Sequence, residues 1–324
     1  MNVVITGANG FVGKALTKRL LSVGEIKGKL FKKIILIDQQ FDEDFIELCS
    51  KSNFEVSAHS GDISKASWLR EILDYQVLDI VFHLASIPGG MAEQNEDLAR
   101  RVNIGATETL LDIGKAQSVS SKRPVFIFAS SIAVFGKLPD KVTDQTLLNP
   151  QLSYGAHKVI GEVLVNDFSR RGWVDGRSLR LPGVLARPPA KTGQLSAFLS
   201  DIIRDVSQGK AFTCPMSPSA TTWASSLPNI VDNLLHAAII TSEQVGEIRT
   251  FTLPTLCFTM KEMAQAIGRV YGQNTEQLVD YQPEPLIETL FGSFPSLETS
   301  RADLLGFKHD GSIDVLVERA LTEG

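Results

Sequence analysis

Met1-Asn-Val-Val-Ile-Thr-Gly7-Ala-Asn-Gly10-Phe-Val-Gly13 runs from a short apolar strand straight into three glycines and on into a helical stretch. Each glycine has its own physical reason to be there. Gly7 permits the tight turn off the strand, Gly10 lets the backbone approach a pyrophosphate, and Gly13 lets the following helix lie close to the sheet. Asn9, Phe11 and Val12 fill the loop between them, and the helix N-terminus offers N–H groups and a positive dipole end to phosphates. The spacing Gly-x-x-Gly-x-x-Gly also suits a plain strand-turn-helix, so context matters. The second strand, Lys33-Ile-Ile-Leu-Ile-Asp38, ends in a carboxylate 25 residues after Gly13, where an acid hydrogen-bonds the ribose hydroxyls of an adenosine. The opening is read as a dinucleotide-binding entrance, with NAD as the cofactor.

The chain has 324 residues, enough for one extended α/β domain carrying a smaller lobe. Its apolar runs are far too short to span a bilayer, so no membrane partner is expected. The first strand begins at Asn2 with no charged leader before it, which points to the cytoplasm. Cys49, Cys214 and Cys257 are odd in number and widely spaced, so they suit buried thiols rather than disulfides, and no metal site is expected. A net charge of −5 gives no basic field for nucleic acid; the cluster Lys27 to Lys33 reads as a solvated connection.

Short β-branched runs alternate with longer stretches of helical period, the pattern of a parallel sheet wrapped by helices. Strands are predicted at Asn2 to Thr6, Lys33 to Asp38, Phe54 to Ala58, Asp79 to Leu84, Pro124 to Ala129 and Gly176 to Leu181. Helices are predicted near 11–22, 42–50, 65–75, 95–117 and 154–171. After Pro182 the rhythm changes: a helix near 194–208, an irregular segment Pro215 to Pro228, an apolar helix Asn229 to Ile240 and a strand Arg249 to Leu253. Further helices are predicted near 259–271 and 313–322. The expected fold is a Rossmann-type doubly wound parallel sheet with a smaller C-terminal substrate-binding lobe. The nucleotide-binding domain covers 1–182 with a return segment at about 229–255; the lobe covers 183–228 and 256–324.

Strand five ends Phe128-Ala129-Ser130-Ser131, and 23 residues later Tyr154-Gly155-Ala156-His157-Lys158 opens a helix. Tyr154 and Lys158 at i and i+4 share a helix face, so the ammonium can acidify the phenol and also reach the nicotinamide ribose. A phenol titrates at about 10, so a base working at neutrality needs about 3–4 kcal/mol of differential stabilisation. A serine hydroxyl at the strand end would hold the substrate oxygen against the phenol. The bland alternative makes Tyr154 and Lys158 a surface pair.

These motifs resemble those of the extended short-chain dehydrogenase/reductase family, also called the NAD-dependent epimerase/dehydratase family. The resemblance runs over nearly the whole chain: Gly7 to Gly13, Gly61-Asp62-Ile63, His83-Leu84-Ala85, Asn103 to Thr107, Ser130 to Gly136, Tyr154-x-x-x-Lys158 and Arg180 to Gly183. It implies that Asp62 and Ile63 sit beside adenine, that Leu84, Ala85 and Ser86 line the nucleotide, and that Asn103 belongs to the same site. It also implies that Ser131 rather than Ser130 is the catalytic serine, and that Leu181 to Val184 contact nicotinamide. Asp62 has a second reading, as a cap for the helix near 65. His83 reads as a core residue, and His157 lies on another helix face from Tyr154 and Lys158. The helices near 95–117 and 154–171 resemble those that pair across the family's dimer interface, which implies a homodimer.

A narrower similarity concerns the substrate. Asn149 to Gly155, Phe168 to Gly176, Leu179 to Pro182 and Asp232 to Ala237 resemble the D-erythronate dehydrogenase family, with Gly183 where a threonine is usual. That resemblance implies oxidation of the C2 hydroxyl of a small sugar acid. A hydroxy-acid substrate calls for a cation, with Arg187, Lys191 and Arg204 available, and for pocket residues such as Ser86, Ser131, Tyr154 and Trp223. One alternative is a nucleotide-sugar epimerase or dehydratase that keeps NAD bound. The uncharged stretch 211–228 offers no cation for a diphosphate, which speaks against it. Another alternative is a non-catalytic nucleotide sensor, which would have no need of Ser131, Tyr154 and Lys158 together.

Overall fold

The computed structural model describes residues 1–118, 122–189 and 196–322. The chain begins β1 (Asn2–Thr6), α1 (Phe11–Val23), β2 (Lys33–Asp38), α2 (Glu43–Ser50), β3 (Glu55–Ser60), α3 (Ala66–Leu73) and β4 (Ile80–His83). It continues with α4 (Gly89–Gln94), α5 (Glu96–Arg100), α6 (Ala106–Ala116), β5 (Val125–Ser131), α7 (Ser153–Arg170) and β6 (Asp175–Leu181). The remaining elements used below are β7 (Gly183–Leu185), α8 (Phe198–Ser207), β8 (Thr221–Ser226), α9 (Leu227–Ile239), β9 (Thr250–Thr252), β10 (Leu256–Thr259), α10 (Met260–Tyr271) and α11 (Ile313–Thr322).

Seven strands form one mostly parallel sheet in the order β9-β6-β5-β4-β1-β2-β3. Val3 to Ile5 and Ile34 to Ile37 are buried at consecutive positions, as expected for strands covered on both faces. The order reverses between β1 and β4, which opens a crevice at the carboxyl ends of those two strands. This is the Rossmann-like architecture expected from the alternation of strands and helices.

The chain divides into two compact units. The first comprises 1–136, 147–180 and 234–252; the second comprises 137–146, 181–233 and 253–324. Segment 137–146 therefore groups with the second unit, and the return to the first begins at 234. The second unit has its own apolar core, in which Ile202, Ile203, Phe258, Met263, Ile267 and Leu316 are buried, and its own sheet β7-β8-β10.

Three expectations need correction. Residues 95–117 are not one helix: α5 and α6 are separated by a π turn, Arg101–Gly105, that presents the Asn103 amide to the backbone at Ile87. The stretch 215–228 is not wholly irregular, because it contains β8. Its serines looked like loop residues, but Ser225 and Ser226 are buried with their hydroxyls donated to the Asp310 carboxylate. Cys257 is exposed, with its thiol 3.7 Å from the Phe294 carbonyl; Cys49 and Cys214 are buried. Among the described residues, no helix is long and apolar enough to cross a membrane, and no three metal-ligating side chains gather. The Lys27 region forms a two-residue hairpin, Glu25–Ile26 against Lys29–Leu30.

Candidate active site

The glycine loop is held by backbone bonds from both sides. The N–H of Gly7 donates to the Ile37 carbonyl at 2.9 Å and that of Gly10 to the Gly7 carbonyl at 3.1 Å. Gly7 has φ +70°, and a Cβ there would lie 2.8 Å from the Ala85 backbone nitrogen. At Gly13 a Cβ would lie 2.1 Å from the Gly7 carbonyl oxygen, so the start of α1 can approach β1 only without a side chain. No side chain caps α1 at Gly10 and no acid sits in its first turn. Asp38, at the end of β2, accepts from the N–H of Asn9 at 2.8 Å and from that of Gln39 at 2.7 Å. Each oxygen keeps a further lone pair for a ribose hydroxyl. A bare loop, an uncapped helix start and an acid beside them fit a dinucleotide.

Across the crevice, the Leu84 N–H donates to the Thr6 carbonyl and the Ala85 N–H to the Thr6 hydroxyl at 3.3 Å. Asn103 grips Ile87 by both backbone groups, accepting at 2.7 Å and donating at 3.0 Å, and so fixes the course of the chain around Ser86. Asn103 is buried and acts on the segment as a clamp. His83 is buried between Thr6 and Thr107, 2.7 and 2.8 Å away. Thr107 gives its own proton to the Asn103 carbonyl, so it accepts from His83; the imidazole proton therefore sits on Nε2, and Nδ1 accepts from Thr6. Burial, with Lys158 adding to it, pushes this imidazole down to about 3, which keeps it neutral. The side chain of Ser64, helped by its N–H donating at 2.9 Å, holds the Asp62 carboxylate below the usual carboxylate range. That bond orders the turn before α3. Ile63 is buried in the core of the first unit.

Tyr154 and Lys158 lie one turn apart on α7, with the ammonium 5.4 Å from the centre of the phenol ring. Lys158 also donates to the Ala129 carbonyl at 2.6 Å and sits 4.8 Å from the centre of the Phe128 ring. Its side chain is buried; desolvation lowers its pKa to about 7, against an opposing pull from Glu162. Helix α7 reaches this position through two glycines. A Cβ on Gly155 would be 2.4 Å from the Ala133 carbonyl oxygen, and one on Gly161 would be 2.4 Å from the Phe128 ring. Ala133 is two residues beyond Ser131, so the same strand end that carries the serine carries the surface on which α7 begins. Ser131 accepts from the Ala133 N–H at 3.1 Å, a bond that leaves its hydroxyl proton for another acceptor.

Ser130 points elsewhere. Its hydroxyl donates to Glu162 at 2.5 Å, and Arg180 from β6 grips the same carboxylate with two bonds, 2.9 and 2.8 Å long. All three residues are buried. Glu162 continues the Tyr154, Lys158 line at the same spacing of four, a signal that stood in the sequence and was not read as part of the site.

In the second unit, Val184 is buried on β7, Leu181 closes β6, and the Arg187 N–H donates to Ser200 at 3.0 Å. Arg204 is ion-paired with Asp201. Lys191 lies outside the described residues. Trp223 was expected beside a pocket, yet it is 1% exposed, donates its indole N–H to the Pro295 carbonyl at 2.7 Å and packs edge-on to Phe294. Its ring belongs to the interior of the second unit.

Comparison with known proteins gives the family. Residues 3–224 match the NAD dependent epimerase/dehydratase family. The chain belongs to that family. NAD is therefore its cofactor, and with the dehydrogenase relatives that follow it is an NAD-dependent oxidoreductase. A D-erythronate dehydrogenase of Cupriavidus necator is 36% identical over 98% of this chain and 97% of its own length. Another, from Haemophilus influenzae, is 32% identical over 98% of both chains. A crystal structure described as a nucleoside-diphosphate-sugar epimerase from Agrobacterium tumefaciens superposes with a TM-score of 0.88 at 34% identity, over 98% of this chain and 92% of that one.

Proposed function

We propose that this protein oxidises the C2 hydroxyl of a small sugar acid, D-erythronate or a close analogue, to the corresponding keto acid. The observation that carries the reading is the buried Lys158 ammonium beside the Tyr154 ring, on a helix packed against the strand end that bears Ser131. Tyr154, as phenolate, takes the hydroxyl proton. Lys158 stabilises the anionic oxygen, and Ser131 donates to the substrate oxygen and orients it. Bound NAD supplies the hydride acceptor at its nicotinamide ring. Gly7, Asn9, Gly10, Phe11, Val12 and Gly13 hold its phosphates, and Asp38 holds the adenosine ribose. We assign Asp62, Ile63, Leu84, Ala85, Ser86, Leu181 and Val184 to the remainder of the dinucleotide. Asp38 would repel a 2′-phosphate, and Gln39 and Gln40 beside it bring no cation, so NAD is preferred over NADP. Arg187 is the guanidinium we assign to the substrate carboxylate, because a planar fork suits a carboxylate.

The substrate class rests on the names of the two relatives above, and the epimerase reading rests on the name of the structural neighbour. The two readings predict different products. Incubating the protein with NAD and a panel of four- to six-carbon aldonic acids, threonine and nucleotide sugars separates them. Net NADH from four-carbon aldonates is the expected result; conversion of nucleotide sugars without net NADH would reverse the assignment. We also infer a homodimer through α7, whose outward positions Ile160 and Val163 are 42% and 62% exposed and apolar.

A further inference from the structure

The carboxylate of Glu162 lies one turn beyond Lys158 on α7 and is the meeting point of two buried groups from two other elements. Ser130 from β5 donates to it, and Arg180 from β6 clasps it with two bonds. Arg180 in turn stacks on the Phe135 ring at 5.1 Å. Glu162 accepts three hydrogen bonds. A buried ion pair of this kind is weak evidence for stability, because apolar residues of the same shape fill such space as well or better. Its position relative to Lys158 suggests another use. Lys158 faces Tyr154 and Glu162 from its own helix and neutral His83 from β4, and its ammonium bonds the Ala129 carbonyl on β5. Glu162 is the anion in that set, and the opposite charge nearest to Glu162 is Arg180.

We propose that Glu162 and Arg180 are positioning residues that set how firmly Lys158 holds its proton, and through it the activity of the Tyr154 phenol. The proposal rests on the reading of Tyr154 and Lys158 given above. Glu162 supplies a negative potential that favours the ammonium over the amine. Arg180 damps that potential and, with Ser130, fixes the carboxylate in place. Both residues act through Lys158 and neither touches the substrate. Burial lowers the lysine to about 7 even with Glu162 opposing it, so removing Glu162 shifts the balance further toward the neutral amine.

Glu162→Gln keeps the shape and the bond to Ser130 but removes the charge. The alkaline limb of the kcat/KM profile for oxidation, which reports loss of the Lys158 proton, should move down by about one pH unit. Arg180→Gln removes the damping charge, and the same limb should move up. Opposite signs are the discriminating result, since two merely structural lesions would lower activity without moving the limb in opposite directions. Folding is checked by thermal unfolding; should one variant fail to fold, the sign of the other decides. Unmoved limbs in folded variants, or shifts of the same sign, overturn the proposal. Tyr154→Phe separates the two layers. Wild-type turnover in that variant overturns the role of the phenol itself, whereas a dead Tyr154→Phe with unmoved limbs overturns only the assignment of Glu162 and Arg180.

Discussion

Lys158 shows how a functional group can stand at the expense of stability. Its pKa falls from 10.5 to about 7 on folding because its charge is buried. Between those pH values the unfolded chain binds a proton that the folded chain does not, so folding stability rises with pH across that window. Below about 7 both states carry the charge, and the net cost of burying it beside Glu162, on the order of 5 kcal/mol, opposes folding. His83 contributes with the same sign lower down, between its ordinary 6.5 and about 3: stability falls as the solution is acidified through that range. Lys158→Met should therefore abolish turnover yet raise the stability by about 1–3 kcal/mol at pH 7 in urea unfolding, with the gain shrinking toward pH 10. A variant less stable than wild type at pH 7 would show that the bond to the Ala129 carbonyl outweighs the cost of burying the charge.

Elements are positioned here by what their residues lack. Gly161 lets α7 settle onto the Phe128 ring, and Gly155 lets it begin against the Ala133 carbonyl. In an exposed helix Gly161→Ala would gain about 1 kcal/mol from propensity. Here a Cβ would stand 2.4 Å from a buried aromatic ring, so overpacking wins, with an expected net loss of about 1–3 kcal/mol by chemical denaturation. Turnover should fall with it, because α7 carries both Tyr154 and Lys158; an active, more stable variant would show that the helix tolerates the displacement. The glycine loop, the first six strands and α7 were legible in the sequence because each carries a local signal: apolar runs ending in glycine, a carboxylate at the end of β2, a tyrosine and lysine one turn apart. The π turn at Arg101–Gly105 was not, since its widened turn serves a distant partner, the Ile87 backbone. Nor was β8, whose hydroxyls look solvent-seeking until Asp310, some 85 residues later, takes their protons.

Across the whole molecule, legibility follows the same divide. Residues of the first unit announce themselves through the glycine loop, the strand-end carboxylate and the Tyr154, Lys158 pair, whereas the second unit carries no such common pattern. Trp223 is the instructive case: an unpatterned tryptophan suits a pocket wall or a core equally, and its indole is committed to Pro295 and Phe294. Glu162 was passed over for the converse reason, because a glutamate inside a helix reads as a solvated face until Ser130 and Arg180 close over it. The assembly inferred above also belongs to this scale. Val163 is exposed and apolar on a helix whose charged side chains from Tyr154 to Asn166, Lys158 and Glu162, are both buried. Val163→Asp should convert a particle of twice 35.4 kDa into one of 35.4 kDa in sedimentation analysis, while a wild-type protein already sedimenting as a single chain would refute the dimer.

The account turns on one proton leaving a hydroxyl for the oxygen of Tyr154. The most direct test is the kcat for net NADH formation from D-erythronate by wild type and Tyr154→Phe, compared at equal NAD occupancy and with folding verified. Loss of the phenolic oxygen should lower kcat by about 10²- to 10⁴-fold while NAD binding is unchanged. A Tyr154→Phe protein that forms NADH within a few-fold of the wild-type rate would contradict it.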